Sequence, residues 1–266
     1  MKTLSVFHNL KDKVVFLYKQ LKLKTFEKAT GRPRTLKNQD VITLALYKHT
    51  QGIPTRKQLW RDFTPACTYK TFNESVNRLL PQILRILLAF IALNRGSAHP
   101  VKYTDATDLP VCRNKNAKHH KTMSAFATWG RSSKGFYYGL KLHVTTDFDG
   151  RLLALSFSAS NVDDRKMFMK LNERLKGLFI ADAGYISKKL AHEFYREGER
   201  LLIAKPKANM KKLATLWQHL LYSTRSRIEG FFNNTKKFRG LISSLPRSID
   251  GYLCNYTCAL LAEVLA

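Results

Sequence analysis

Apolar residues recur at helical spacing through the first part of the chain. Val6, Leu10, Val14, Leu17 and Leu21 line one face of a helix predicted over 4–23. The stretch Gly31-Arg32-Pro33-Arg34-Thr35 breaks that pattern, and a second helix is predicted over 36–50, with Thr35 or Asn38 placed to cap it. Gly52-Ile53-Pro54 forms a turn, after which Thr55 can cap a helix over 56–63. The longest helical pattern in this half runs over 71–93. Near Gly96-Ser97-Ala98-His99-Pro100 the period changes from helix to strand, which places a boundary between regions 1–98 and 99–266.

The second region opens with a strand over 102–111 and a basic loop over 113–121. Residues 135–146 are rich in aromatic and β-branched side chains and read as a strand. Asp147-Phe148-Asp149-Gly150 is a hairpin turn, and 151–158 the returning strand. A helix follows over 161–175, capped by Ser160 or Asn161. Leu178-Phe179-Ile180-Ala181 is wholly apolar, as a strand buried on both faces must be. A helix over 187–197, a strand over 200–204, and helices over 213–238 and 248–265 complete the chain. Three strands with one hairpin, then helix, strand, helix, strand and further helices is the element order of a ribonuclease-H-like α/β fold. The fold expected is therefore a mixed sheet with flanking helices, preceded by a small all-helical region.

Charge narrows the partner. The formal net charge is +27 over 266 residues with 44% hydrophobic content, so a real core coexists with a strong positive field. Nucleic acid is the expected polyanion, since phosphate contacts supply most non-specific affinity. Short basic helices and tight turns in 1–98 suit a helix-turn-helix-like module, though any small helical bundle gives the same pattern. Arg32 and Arg34 around Pro33 have the form of a minor-groove arm, or of a plain linker between helices. The four cysteines, Cys67, Cys112, Cys254 and Cys258, lack the spacing of a zinc site, and the last two read as small core residues. No signal-peptide h-region opens the chain, and the apolar run 83–93 contains Arg85 and is too short to span a membrane. A reduced, cytoplasmic protein is expected.

Three acids stand out. Asp105, in Tyr-Thr-Asp-Ala-Thr-Asp, lies inside a predicted strand, where aspartate is disfavoured unless a cation or donor compensates it. Asp182, in Ala-Asp-Ala-Gly-Tyr, follows a buried strand at the end where open α/β sheets place ligands. A strand-end ion pair for Asp105 and a turn role before Gly184 for Asp182 are the structural alternatives. Glu229 belongs to the third set, Tyr222, Arg225, Glu229 and Lys236. On one continuous helix these four fall within an arc of about 60°. A solvated helix face with ordinary charge spacing would give the same stripe. Asp105, Asp182 and Glu229 together make an oxygen-only donor set suited to Mg²⁺ or Mn²⁺ rather than zinc.

The spacing Tyr-x2-Arg-x3-Glu-x6-Lys, together with the stretches around Asp105, Gly135, Asn161 and Asp182, resembles the DDE-type transposases of bacterial insertion sequences, over about residues 31–262. The resemblance implies that Asp105, Asp182 and Glu229 are the catalytic, metal-binding triad, holding two Mg²⁺ or Mn²⁺ ions. It implies that Tyr222, Arg225 and Lys236 contact DNA phosphates. It implies cleavage at terminal repeats and strand transfer to a target, by a homodimer on double-stranded DNA, nucleoid-associated and away from any membrane. A catalytically inactive remnant that only binds DNA is the alternative. Asp108, three residues beyond Asp105, falls on the other face of the strand and is left out of the triad.

Overall fold

The computed structural model describes residues 2–27, 34–196, 198–206, 210 and 215–266. Arg32, with most of the proposed arm, lies outside the described residues, as do the expected end at Glu197 and start at Leu213 of two helices. The chain forms two compact units, one of residues 1–90 with 234–266 and one of residues 91–233.

The first unit is helical. Helix α1 (Lys2–Gln20) buries Leu10, Val14 and Tyr18, one stripe at i, i+4, i+8. Helix α2 (Asn38–Thr50) is buried at Asn38 and at all nine positions from Val41 to His49, with its start set by Lys37 and no side-chain cap. The expected cap, Asn38, instead turns inward and accepts from Arg34 Nη1 at 2.8 Å. Thr55 does cap α3 (Arg56–Phe63), accepting from the Gln58 amide. The single helix expected over 71–93 is two, α4 (Tyr69–Arg78) and α5 (Leu80–Gly96), bent by 45° at Leu79. Pro81 is the reason: a proline belongs in the first turn of a helix, where its missing N–H costs nothing. The last helix, α10 (Ile249–Val264), is buried almost all round and packs on α2 and α4. Its Cys254 and Cys258 are buried and unbridged, Sγ to Sγ 3.9 Å. Among the described residues no single helix is long and apolar enough to cross a membrane; α4 and α5 reach that length only across their bend.

The second unit is a mixed six-stranded sheet with helices. Its strands are β1 (Val101–Pro110), β2 (Thr128–Ser132), β3 (Gly135–Asp147), β4 (Leu152–Ala159), β5 (Gly177–Ala181) and β6 (Arg200–Ala204). They run in the order β2-β3-β1-β5-β6, and β4 also pairs with β3. The first four pair antiparallel, whereas β1–β5 and β5–β6 are parallel. Strand β2 was not expected: five residues that include glycine and serine carry little strand signal of their own, and they are extended because they pair with the start of β3. Helix α6 (Asp164–Leu171) is shorter than the expected 161–175 and is capped by Asp163, which accepts from the Arg165 amide, rather than by Ser160 or Asn161. With α7 (Lys188–Arg196) it covers β5, where Phe168, Phe179 and Phe194 pack edge to face at 4.9–6.2 Å.

The helix expected over 213–238 is also two, α8 (Leu216–Ser223) and α9 (Ser226–Lys237). Thr224 and Arg225 form the break. The Tyr103 hydroxyl donates to Thr224 Oγ1 at 2.8 Å, and Thr224 Oγ1 donates to the Leu221 carbonyl. The junction is thus pinned to β1 by side chains, with no glycine or proline to announce it.

Candidate active site

Strand β1 brings Asp105 into place by its pairing. Its parallel register with β5 sets Tyr103 beside Ile180, so two residues further on Asp105 comes level with Asp182, the first residue beyond β5. Alternation along each strand puts both acids on the same side of the sheet. Asp182 caps the short 3₁₀ turn after it, accepting from the Gly184 amide at 2.7 Å. Its turn role and its place beside Asp105 coexist.

Arg225 joins the third acid to them. From the α8–α9 break its Nη2 donates to Asp105 Oδ2 at 2.7 Å, and its Nη1 donates to Glu229 Oε1 at 2.6 Å. Asp105 Oδ1 accepts from the Ala106 amide at 2.8 Å. The start of α9 is fixed by Arg227, which lies 3.9 Å over the Phe148 ring and donates to the Phe148 carbonyl. The Asp105 and Arg225 side chains are only 15% and 19% exposed, whereas Glu229 is 58% exposed. Glu229 is thus the solvent-exposed partner of the three.

The site is short of positive charge at Asp105. Burial pushes its carboxyl up to about 6, Arg225 and the Ala106 amide pull it down, and the neighbouring Asp182 adds to the rise. Burial lowers the Arg225 guanidinium, but Asp105, Glu229 and Asp182 outweigh it, and the net shift is upward. The Tyr185 hydroxyl is buried without a hydrogen-bond partner among the described residues. Burial, then the charges of Asp105, Asp164 and Asp182, raise it well above its ordinary value.

These features fit a hard cation at the two aspartates: oxygen donors only, side by side, one of them held in its less favourable charged form. They do not supply a finished three-carboxylate cage. Among the described residues no three His, Cys, Asp or Glu side chains are grouped closely enough to hold a metal ion. The guanidinium of Arg225 stands between Asp105 and Glu229, bonded to both.

A family model described as the Transposase DDE domain matches residues 95–248, more than half of the chain. The chain belongs to this family. No curated protein sequence matches it. Among solved structures, the fold is similar to that of the piggyBac transposase in its synaptic complex with hairpin DNA, with a TM-score of 0.57 at 10% identity, over 94% of this chain and 70% of that one.

The remaining predicted residues of the transposase sit as follows. Tyr222 is on α8 and donates to the Ala204 carbonyl at the end of β6. Because α8 ends before Arg225, Tyr222 and Arg225 do not share a helix with Glu229, and the four-residue stripe breaks up; only Glu229 and Lys236 lie on α9. Arg34 belongs to the first unit, bonded to Asn38. Strand β1 pairs with β3 in unbroken register from Lys102 to Pro110, so Asp108 and Asp105, three apart, fall on opposite faces. Sequence reading passed over Tyr103 and Tyr185. Both were visible as aromatics two and three residues from an acid, but their hydroxyl partners, or lack of them, depend on elements distant in the chain.

Proposed function

We propose that this DDE transposase binds the terminal repeats of a transposable element, cuts the DNA there and transfers the strand to a target. On this reading the six-stranded sheet is a ribonuclease-H-like core, and Asp105, Asp182 and Glu229 are its catalytic acids. The observation that carries the reading is the parallel register of β1 and β5, which sets Asp105 beside Asp182, with Arg225 tying Asp105 to Glu229. The net charge of +27 and the likeness to a transposase bound to hairpin DNA support DNA as the partner.

Asp105 and Asp182 would hold Mg²⁺ or Mn²⁺, with Glu229 joining once it leaves Arg225. Such ions, when bound, activate a water or 3′-hydroxyl and offset the charge on the phosphodiester under attack. The chain's own contribution is positioning. Arg225 offers a planar fork that pairs as well with phosphate as with carboxylate. A DNA phosphate arriving at that fork exchanges for Glu229 and frees the carboxylate. Lys236, two turns further along α9, supplies a further positive charge for the DNA backbone.

The test is nicking and joining of terminal-repeat DNA by the purified full chain in Mg²⁺. Glu229→Gln, nearly isosteric and uncharged, is expected to bind DNA normally and to lose at least a thousandfold in cleavage, about 4 kcal/mol of barrier. Arg225→Ala should weaken DNA contact while leaving residual cleavage, and Asp108→Asn should cut within a few-fold of the parent. Cleavage by Glu229→Gln at the parent rate would overturn the assignment. Binding without cutting by the parent chain would favour the non-catalytic, DNA-binding alternative.

A further inference from the structure

The strand that sequence reading missed carries the inference. Strands β2 and β3 form a ribbon in which Trp129 lies opposite Tyr138 and Arg131 opposite Phe136. Cross-strand partners share a face, and so do positions two apart, so all four side chains stand on one side. The other side, with Gly130, Tyr137 and Gly139, is buried. The four-residue side faces outward: Trp129 is 47% exposed and Phe136 65%. Its rings form a row, Trp129 to Tyr138 at 5.7 Å, with the Arg131 guanidinium 5.6 Å from the Phe136 ring.

Large exposed aromatics are costly to leave in water and here they are not scattered; they are aligned beside positive charge. Between Asp108 and Asp147 the sequence has no acidic residue and seven basic ones: Arg113, Lys115, Lys118, Lys121, Arg131, Lys134 and Lys141. The basic segment is tied to the ribbon, because Asn114 Nδ2 donates to the Phe136 carbonyl at 2.7 Å and the His120 ring lies 6.3 Å from Tyr138. An open depression of about 570 Å³ lies alongside, lined by Trp129, Arg131, Phe136, Lys141 and Asn161 among others. Its two acids are already paired, Asp163 with Arg165 at 2.5 Å and Asp164 with Lys141 at 3.0 Å. The surface is therefore complementary to an anion that also presents flat rings.

We propose that this face of the β2–β3 ribbon binds unpaired nucleotides of a DNA strand, stacking bases on Trp129 and Phe136 while Arg131 and the adjoining basic segment hold the phosphates. Stacking requires the π face of a base, which a closed duplex covers, so the occupant is an unpaired strand rather than intact double helix. The inference rests on DNA being the partner but not on the assignment of the three acids.

The full-length chain is titrated with three labelled probes: a blunt duplex, the same duplex carrying a five-nucleotide 3′ overhang, and oligo-dT. Trp129→Ala and Phe136→Ala are each expected to weaken the overhang and oligo-dT complexes about five- to a hundredfold, the range for one stacked base. Blunt-duplex binding should stay within twofold, and Trp129→Phe should retain most of the affinity. Trp217→Ala, which removes an exposed ring elsewhere, should change nothing. In a background with Trp60 and Trp217 replaced by phenylalanine, oligo-dT should quench Trp129 fluorescence. Equal losses on all three probes, no loss on any, or a change in oligomeric state with DNA affinity intact would each overturn the proposal. Failure of Mg²⁺-dependent nicking with overhang binding intact would count against the acid assignment alone.

Discussion

Arg225 holds a buried aspartate and an exposed glutamate at once, and the imbalance between them has measurable effects. Because the Asp105 carboxyl is raised to about 6 in the folded chain, against 3.8 ordinarily, the fold binds more protons than the unfolded chain between roughly those values. Stability contributed by this group is thus fully present below pH 4 and lost as pH rises through 6. Asp105→Asn removes the buried charge, and its melting temperature should exceed the parent's by several degrees at pH 7.5 in EDTA, the gap closing near pH 4. Excess Mg²⁺ should narrow the gap at pH 7.5 by stabilising the parent and not the variant. A parent chain as stable as Asp105→Asn at pH 7.5 in EDTA would refute the strained-acid account. At this scale much of the site was legible: an aspartate inside a strand and another at a strand end were conspicuous against their surroundings. The pairing that sets the two acids level was not, because register between strands whose paired residues lie 77 positions apart is decided by packing rather than by either segment alone.

Elements show the same division. Strands β1, β3, β5 and β6 and helix α10 were legible because their apolar periods are long or their runs unbroken. The α4–α5 bend follows from Pro81, a signal present in the sequence and outweighed there by the apolar run around it. The α8–α9 break had no such signal; it depends on the Tyr103–Thr224 hydrogen bond across the unit. Two glycines show how element and environment separate. A Cβ on Gly139 of β3 would meet the Leu109 carbonyl oxygen at 2.1 Å and the Leu109 and Pro110 backbone at 2.9 Å, where nothing can rotate aside. Gly139→Ala should therefore destabilise by about 2 kcal/mol or more, loosening β1 against β3. A Cβ on Gly230, inside α9 and next to Glu229, meets nothing within 4 Å. Gly230→Ala should stabilise by about 0.5–1 kcal/mol through helix propensity alone. Urea denaturation of both variants checks the opposite signs.

For the whole molecule, charge and chain path matter most. With a net charge of +27, affinity for DNA should fall linearly in log–log form as salt rises, and binding between 50 and 200 mM salt should drop by at least a hundredfold. A flat salt profile would mean that phosphate contacts contribute little. The change from helical to strand periodicity near residue 98 marked where element type switches, but periodicity carries no information on where the chain returns. Residues 234–266 group with 1–90, and α10 buries Tyr252, Tyr256, Leu260 and Leu261 within that unit. A chain ending at residue 248 should accordingly leave α2 and α4 without their packing partner. Circular dichroism and proteolysis should find the first unit unfolded in that truncation and the 91–233 sheet intact.

That return path has a consequence during synthesis. Phe90 leaves the ribosome long before Ile249 does, since 159 residues separate them. At about 5–20 residues per second the wait is roughly 8–32 s. For that interval the buried faces of α2 and α4 have no α10 to cover them, while the sheet between can already close. The helices up to Phe90 are thus translated before the sheet but gain their packing partner α10 only after it, so a nascent chain exposes their apolar faces to chaperones for that interval.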